Sequence, residues 1–408
     1  MNSPASVSDL GNTQFIALLA FVMALGALGI DLMLPVFDEI RAHFGLAKEA
    51  TDVAQIVTVY FLGMASGQVV YGPFADRFGR RPVLYAGLAI YTIAAVGSAL
   101  APTLPLMLAG RFLWGVGAAG PRVVGIAIVR DVYEGDAMAR VMSFIMAVFV
   151  IVPILAPSVG ALISAFGPWQ LVFWFCAVYA VAVGSWSLRL SETLAVENRR
   201  QLRLRPILDA ARQIFTTRRS LGYTFAMAFL FGGFTSYLAS SELIVGGIYG
   251  RPALFPFIFG GAAMVMGSAM LFNARYVGRL GAVTIVRVAV RAYMALSMGL
   301  LLVTVVSGGK PPFWIAIVWV TAVLVMHSTM IPNVNTIALE PLGHVAGMAS
   351  AVIGTMSLSG GALLGTLIDR NLSTTITPLV LGFVVYGSIA GGWVAWAERG
   401  RRAVAPTA

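Results

Sequence analysis

The chain is divided into apolar runs, each about as long as a membrane-crossing helix, with very little sequence between them. A helix rises about 1.5 Å per residue, so a hydrocarbon core roughly 30 Å thick takes about 20 residues. Such runs are read at 15–37, 53–73, 82–101, 105–128, 138–164, 168–188, 221–244, 252–274, 284–306, 312–336, 345–367 and 376–397. Inside hydrocarbon every backbone polar group has to be satisfied within its own segment, which makes each run a helix. The expected fold class is all-α integral membrane with twelve transmembrane helices. Charged residues make up only 11% of the chain, where soluble domains carry about 25%.

The longest polar interruption, Ser191 to Ser220, falls between the sixth and seventh runs. It predicts an N-terminal six-helix bundle over 1–190, a cytoplasmic linker over 191–220 and a C-terminal six-helix bundle over 221–408. Within the linker, Pro206 to Phe215 carries apolar residues at helical spacing, predicting a short amphipathic helix at the cytoplasmic surface. A faint repeat supports pseudo-two-fold symmetry between the halves. Phe78-Gly79-Arg80-Arg81 after the second run is echoed by Val277-Gly278-Arg279-Leu280 after the eighth.

Basic residues fall mainly on one side of the drawn topology, eighteen against five, with four inside runs. The positive-inside rule then places both termini in the cytoplasm. The same bias accounts for the net charge of +10 without a nucleic-acid partner. No basic leader precedes the first run, so the N-terminus is expected to stay in the mature protein. The single cysteine, Cys176, excludes an intrachain disulfide and a cysteine metal cluster and reads as a packing residue. Three histidines at no metal-binding or catalytic spacing give no metal site, no cofactor and no enzyme active site. The partners expected are a small-molecule substrate, protons and the lipid bilayer.

Charges inside apolar runs are the candidate functional residues. An ionised aspartate near a bilayer centre costs about 2.5–3.5 kcal/mol on insertion scales. Asp31 interrupts the first run and Arg111 the fourth, which points the opposite way; counted along continuous helices, each lies about 9 Å from the periplasmic end. A carboxylate and a guanidinium at one depth can pair or share a water-filled space. Surroundings of low dielectric favour a neutral acid and a nearby cation favours a carboxylate, so Asp31 reads as a protonation switch, with a structural ion pair to Arg111 as the alternative. Arg122 reads as snorkelling to the cytoplasmic surface. Glu242, Glu340 and His344 read as solvated loop residues, and His327 as a hydrogen-bonded bundle residue.

Gly72, Asp76, Arg77, Gly79, Arg80 and Arg81 form a glycine-punctuated charged loop between the second and third runs. Asp76 can accept backbone N–H groups at a helix start, and the arginines can pair with Asp131, beside Arg130 at the end of the fourth run. Contacts that hold in one conformation and break in another would make this group a latch. In the fifth run, Pro153 and Pro157 remove backbone donors, and Gly160 with Ala161 permits close helix approach.

The charged loop resembles the signature of the major facilitator superfamily. Asp31-Leu-Met-Leu-Pro35, Gly67-Gln68, Arg111-Phe-Leu, Arg130-Asp131-Val-Tyr133 and the Ala156-Pro157 motif together resemble its bicyclomycin/chloramphenicol-resistance branch of drug:proton antiporters. The resemblance implies the major facilitator fold, proton-coupled efflux of small lipophilic or amphiphilic compounds by alternating access, a monomer, and a bacterial inner-membrane location. It implies proton-coupling or substrate roles for Asp31 and Arg111, a conformational-latch role for the charged loop with Arg130 and Asp131, and an antiporter motif at Pro153, Pro157 and Gly160. A proton-coupled transporter of a native metabolite such as a sugar, amino acid or siderophore shares these features. The chain departs from the branch at Trp114, where glutamine is usual, and at Met23, where some relatives carry a second acid. With one membrane acid in the first half, a stoichiometry of about one proton is expected. Tyr60, Phe61, Trp114, Phe149, Phe231 and Met264 suggest a large apolar and aromatic cavity.

Overall fold

The computed structural model describes residues 10–48, 50–202 and 205–399. Both chain ends, with Arg401 and Arg402, and linker residue Arg203 lie outside the described residues. Among the described residues, eleven helical stretches are long and apolar enough to cross a bilayer. The stretch Phe313–Asp369 holds two crossings, divided by a 3-10 turn at Glu340–Val345. Twelve crossings result, as the apolar runs predict.

In chain order the helices are α1 Asn12–Asp31, α2 Phe37–His43, α3 Gln55–Phe78, α4 Arg80–Ala99, α5 Leu104–Val132, α6 Gly135–Ser164 and α7 Gln170–Ser187. There follow α8 Arg205–Thr216, α9 Arg218–Glu242, α10 Phe255–Leu280, α11 Ala282–Val306, α12 Phe313–Leu339, α13 Ala346–Asp369 and α14 Thr377–Glu398. Helix α8 covers the amphipathic linker pattern and buries Ala210 and Ile214. Helix α6 passes through Pro153 and Pro157 as one helix.

Two departures from the sequence reading have local causes. The first run is broken: α1 stops at Asp31, and a 3-10 turn at Leu34–Val36 leads into α2. Pro35 stands four residues after Asp31. Its ring has no N–H to give the Asp31 carbonyl and collides with that carbonyl in a straight helix. The repeat is also out of register. Gly79, the one residue between α3 and α4, has φ 102° and ψ 162°, but Gly278 lies within α10. The glycine with positive φ at the matching helix junction of the second half is Gly281, three residues later, with φ 77° between α10 and α11.

By internal contacts the described residues form two compact units. One comprises those before 203 with Ala253–Ala263; the other comprises the rest. The first has an aromatic centre in which Trp114 of α5 meets Tyr91 of α4 at 5.4 Å and Phe173 of α7 at 5.3 Å between ring centroids. The second is built on α9, which is buried along most of its length against α13 and α14.

Candidate functional site

Asp31 closes α1 and is 4% exposed. Among the described residues no ion pair or hydrogen bond to its carboxyl is formed, so the charge of this side chain is not fixed by a partner. The break that holds it also brings α6 close. A Cβ on Gly160 would overlap the carbonyl oxygen of Leu32, so the absence of a side chain at 160 lets α6 lie directly on the backbone beside Asp31.

Arg111 comes to the same level of α1 but not to Asp31. Its guanidinium donates to Gly29 O (2.9 Å) and Ile56 O (3.3 Å) and lies over the rings of Tyr60 (4.3 Å) and Trp114 (4.6 Å). The residue is 0% exposed, and among the described residues Nη1 has no hydrogen-bond partner. Among the described residues it makes neither a hydrogen bond nor an ion pair with Asp31. Tyr60 and Trp114 are not open-cavity residues: both are fully buried as the walls of the Arg111 seat, and Tyr60 also donates to Gly26 O at 3.0 Å. Trp114, the departure from the resistance branch, thus supplies a ring face to the arginine. Carbonyl oxygens and ring faces are what a desolvated guanidinium accepts when no carboxylate is present.

The charged loop folds into a single joint. Arg80 donates through Nε to Asp131 (2.7 Å), through Nη2 to the other oxygen of Asp131 (3.3 Å) and through Nη1 to Asp76 (2.6 Å). Its side chain is 5% exposed, against 16% for Asp131 and 27% for Asp76. Asp76 does not cap a helix start, because it lies in the last turn of α3. The cap is Glu192, which follows α7: its carboxylate accepts the backbone N–H of Arg80 (2.8 Å) and of Arg81 (3.1 Å). A Cβ on Gly79 would stand 2.5 Å from the Glu192 carboxylate, so positive φ and the cap both require glycine there. Thr193 donates to Asp131 (3.1 Å) and Arg200 N–H to Asp76 O (2.9 Å), closing the joint with the start of the linker. Arg81 reaches Leu188 O at 3.2 Å. Arg77 and Arg130 are exposed and outside this network, and a Cβ on Gly72 would meet nothing within 4 Å. Sequence reasoning missed Glu192. No local signal separates it from the other acids of the linker, Glu197 and Asp209.

The second unit holds an acid that the sequence reading placed outside the membrane. Asp369 ends α13 and is 3% exposed, and its Oδ1 accepts from Ser236 (2.6 Å) and Ser240 (2.7 Å) of α9. The eleventh run was closed at 367, two residues short. Glu242 is corrected as well: it is 4% exposed and part of the buried face of α9, not a solvated loop residue. Glu340 is exposed and pairs with Arg219 at 2.7 Å; Glu398 pairs with Arg219 (3.5 Å) and Arg287 (3.6 Å). His327 is buried and stacks on Phe234 at 4.7 Å.

The sequence profile of the Major Facilitator Superfamily matches residues 17–366. A bicyclomycin resistance protein homolog of Haemophilus influenzae is 30% identical over 368 residues, 90% of this chain and 91% of that protein. Multidrug resistance protein MdtL of Escherichia coli O81 (strain ED1a) is 41% identical over 155 residues, 38% of this chain and 39% of that protein. Among solved structures, a D-xylose-proton symporter superposes with a TM-score of 0.74 over 95% of this chain and 97% of its own, at 12% identity, a likeness of fold alone. Twelve crossings, the charged joint at Gly79 and these matches agree: the chain belongs to the Major Facilitator Superfamily, as a multi-pass membrane transporter of small molecules.

Proposed function

We propose that this protein exports small lipophilic or amphiphilic compounds across the bacterial inner membrane in exchange for protons, by alternating access, as a monomer with both termini in the cytoplasm. The observation that carries the reading is Asp31: an acid buried at a helix break, without cation or donor among the described residues, in a chain similar over nine-tenths of its length to a bicyclomycin resistance protein homolog. A carboxyl free of a fixed ion pair can take up and release a proton without first breaking a strong contact. Arg111 acts as a positioning residue: it holds the α1 backbone at Gly29, two residues before the break. The Arg80 joint, with Asp76, Asp131 and Gly79, sets the geometry at the end of α3 and start of α4 and serves as the latch.

The test is transport in proteoliposomes loaded with a pH-sensitive dye, under an imposed proton gradient. A panel of chloramphenicol-like and cationic drugs is added one at a time. Drug-dependent proton flux is expected in the wild type and is expected to vanish in Asp31→Asn. Flux that persists in Asp31→Asn removes this residue from the coupling, and folded wild-type protein that gives no flux with any drug overturns the antiport reading.

A further inference from the structure

The first unit keeps its buried acid without donors, whereas the second keeps one with two. Both serine hydroxyls converge on one oxygen of Asp369, with Ser236 at 2.6 Å and Ser240 at 2.7 Å, and Oδ2 has no donor among the described residues. A carbonyl-type oxygen has two lone pairs, so Oδ1 is filled by this arrangement in either protonation state. As a carboxylate, Asp369 receives two hydroxyl bonds; as the neutral acid, it keeps both on Oδ1 and carries its proton on Oδ2. The seat therefore fits both states with the same serine rotamers. If its only task were to tie α13 to α9, an amide or hydroxyl would do so without bringing an ionisable group into the membrane.

Among the described residues no cation answers the charge. On α14, Tyr386 donates to Leu364 O (2.8 Å) instead of to Asp369. On α12, His327 is stacked on Phe234, and on α11 the Tyr293 ring packs against Phe383. Glu242 of α9 stands two residues past Ser240, roughly 200° around the helix. Arg370, next in the chain, is exposed and makes no ion pair with Asp369 among the described residues. Glu340 and His344 precede the other end of α13, and α8, with Arg205, Asp209 and Arg212, packs against that same turn.

We propose that Asp369, seated by Ser236 and Ser240, is a second proton-binding site of this transporter, in the second unit and separate from Asp31. Protonation forms one O–H bond at Oδ2 and moves no other group. In transport the inference rests on the antiport reading, and it replaces the expectation of about one proton from a lone acid.

Proton binding itself is tested without drug, by pH-difference infrared spectroscopy of the purified full-length protein in wild type, Asp31→Asn, Asp369→Asn and the Ser236→Ala/Ser240→Ala pair. As pH falls, the wild type is expected to gain a protonated-carboxyl band with two components, one lost in Asp31→Asn and the other in Asp369→Asn. The serine pair keeps the carboxyl and should shift the Asp369 component in frequency, since its C=O loses two hydrogen bonds; this also covers failure of Asp369→Asn to fold. A serine-pair spectrum that superimposes on wild type across the pH range in which the protein stays folded overturns the proposal. In proteoliposomes, Asp369→Asn should move fewer protons per drug than wild type. Absent drug-dependent flux in the wild type would sink the antiport reading while leaving the infrared result to decide on Asp369.

Discussion

Glu192→Gln isolates the contact that most directly shapes the charged joint. The Glu192 carboxylate takes the N–H groups of Arg80 and Arg81 at 2.8 and 3.1 Å, in the first turn of α4. A glutamine has one acceptor oxygen, so it can keep one of these bonds, and its NH2 then faces the other N–H as a second donor. The lost bond, to a charged acceptor, is worth about 1.5–3 kcal/mol. Removing a negative charge from a helix start costs about 0.3–1 kcal/mol more. Glu192 is partly exposed, and water recovers some of the loss, which leaves about 2–3 kcal/mol. Because the change acts on one helix end, it is read best as local opening: roughly 30–150-fold faster hydrogen–deuterium exchange at the first-turn amides of α4, with amides in the middle of α4 unchanged. Mass spectrometry of peptides from protein in lipid nanodiscs measures this. First-turn exchange unchanged in Glu192→Gln, under conditions where Asp131→Asn accelerates it, would show that the Arg80 side chain holds the joint and the cap does not.

Two further substitutions test the remaining geometry. Gly79→Ala is expected to destabilise by at least about 1–3 kcal/mol, since it puts a side chain in a backbone region that glycine alone tolerates and displaces the Glu192 carboxylate. Gly72→Ala, inside α3 with open space around it, is expected to be neutral or stabilising by about 0.5–1 kcal/mol, and thermal unfolding in detergent compares the two. Arg111→Lys keeps the charge but has no planar fork with which to reach both Gly29 and Ile56 beside the Tyr60 and Trp114 rings. It should lose about 1.5–3 kcal/mol by the same assay, whereas unchanged stability would mean that the fork geometry is unimportant.

Crossings were legible wherever a single rule decides them. Twelve apolar runs gave twelve crossings because the bilayer allows an uninterrupted run of that length no other structure. The pairing of the charged loop with Asp131 was legible because charges in a short loop have few ways to be satisfied, whereas Asp76, read as a cap on a helix start, instead pairs with Arg80 from the last turn of α3. Apart from the pairing of Arg80 with Asp131, contacts that depend on tertiary distance were not legible. Glu192 lies more than a hundred residues from the helix it caps, and nothing local distinguishes it from other linker acids. Asp369 was missed because hydropathy ends a run at the first charge, and that charge was itself the buried group. Pro35 gives a local reason for the break at Asp31, but α6 runs unbroken through Pro153 and Pro157, so the proline rule alone did not decide where a run breaks.

The placement of ion pairs separates two kinds of charge in this protein. Arg80 with Asp76 and Asp131, Arg219 with Glu340 and Glu398, and Arg41 with Asp38 all lie near helix ends. Arg111, Asp31 and Asp369 are buried too, the two acids also at helix ends, but none has a counterion among the described residues. Breaking a buried pair by neutralising one partner strands the other charge, at about 3–5 kcal/mol, so a proton carrier locked to an arginine would resist the change of state that coupling requires. Carbonyls and rings around Arg111, and hydroxyls around Asp369, stabilise charge without adding a second one to be stranded. The same logic predicts that creating a counterion would impair coupling more than removing a donor. An arginine introduced at Ser240, one helix turn past Ser236, should hold Asp369 as a carboxylate and erase its infrared component, while Ser240→Ala only shifts it. An Asp369 component that survives Ser240→Arg would mean that the acid does not respond to a neighbouring charge, and the argument from unpaired burial would fall with it.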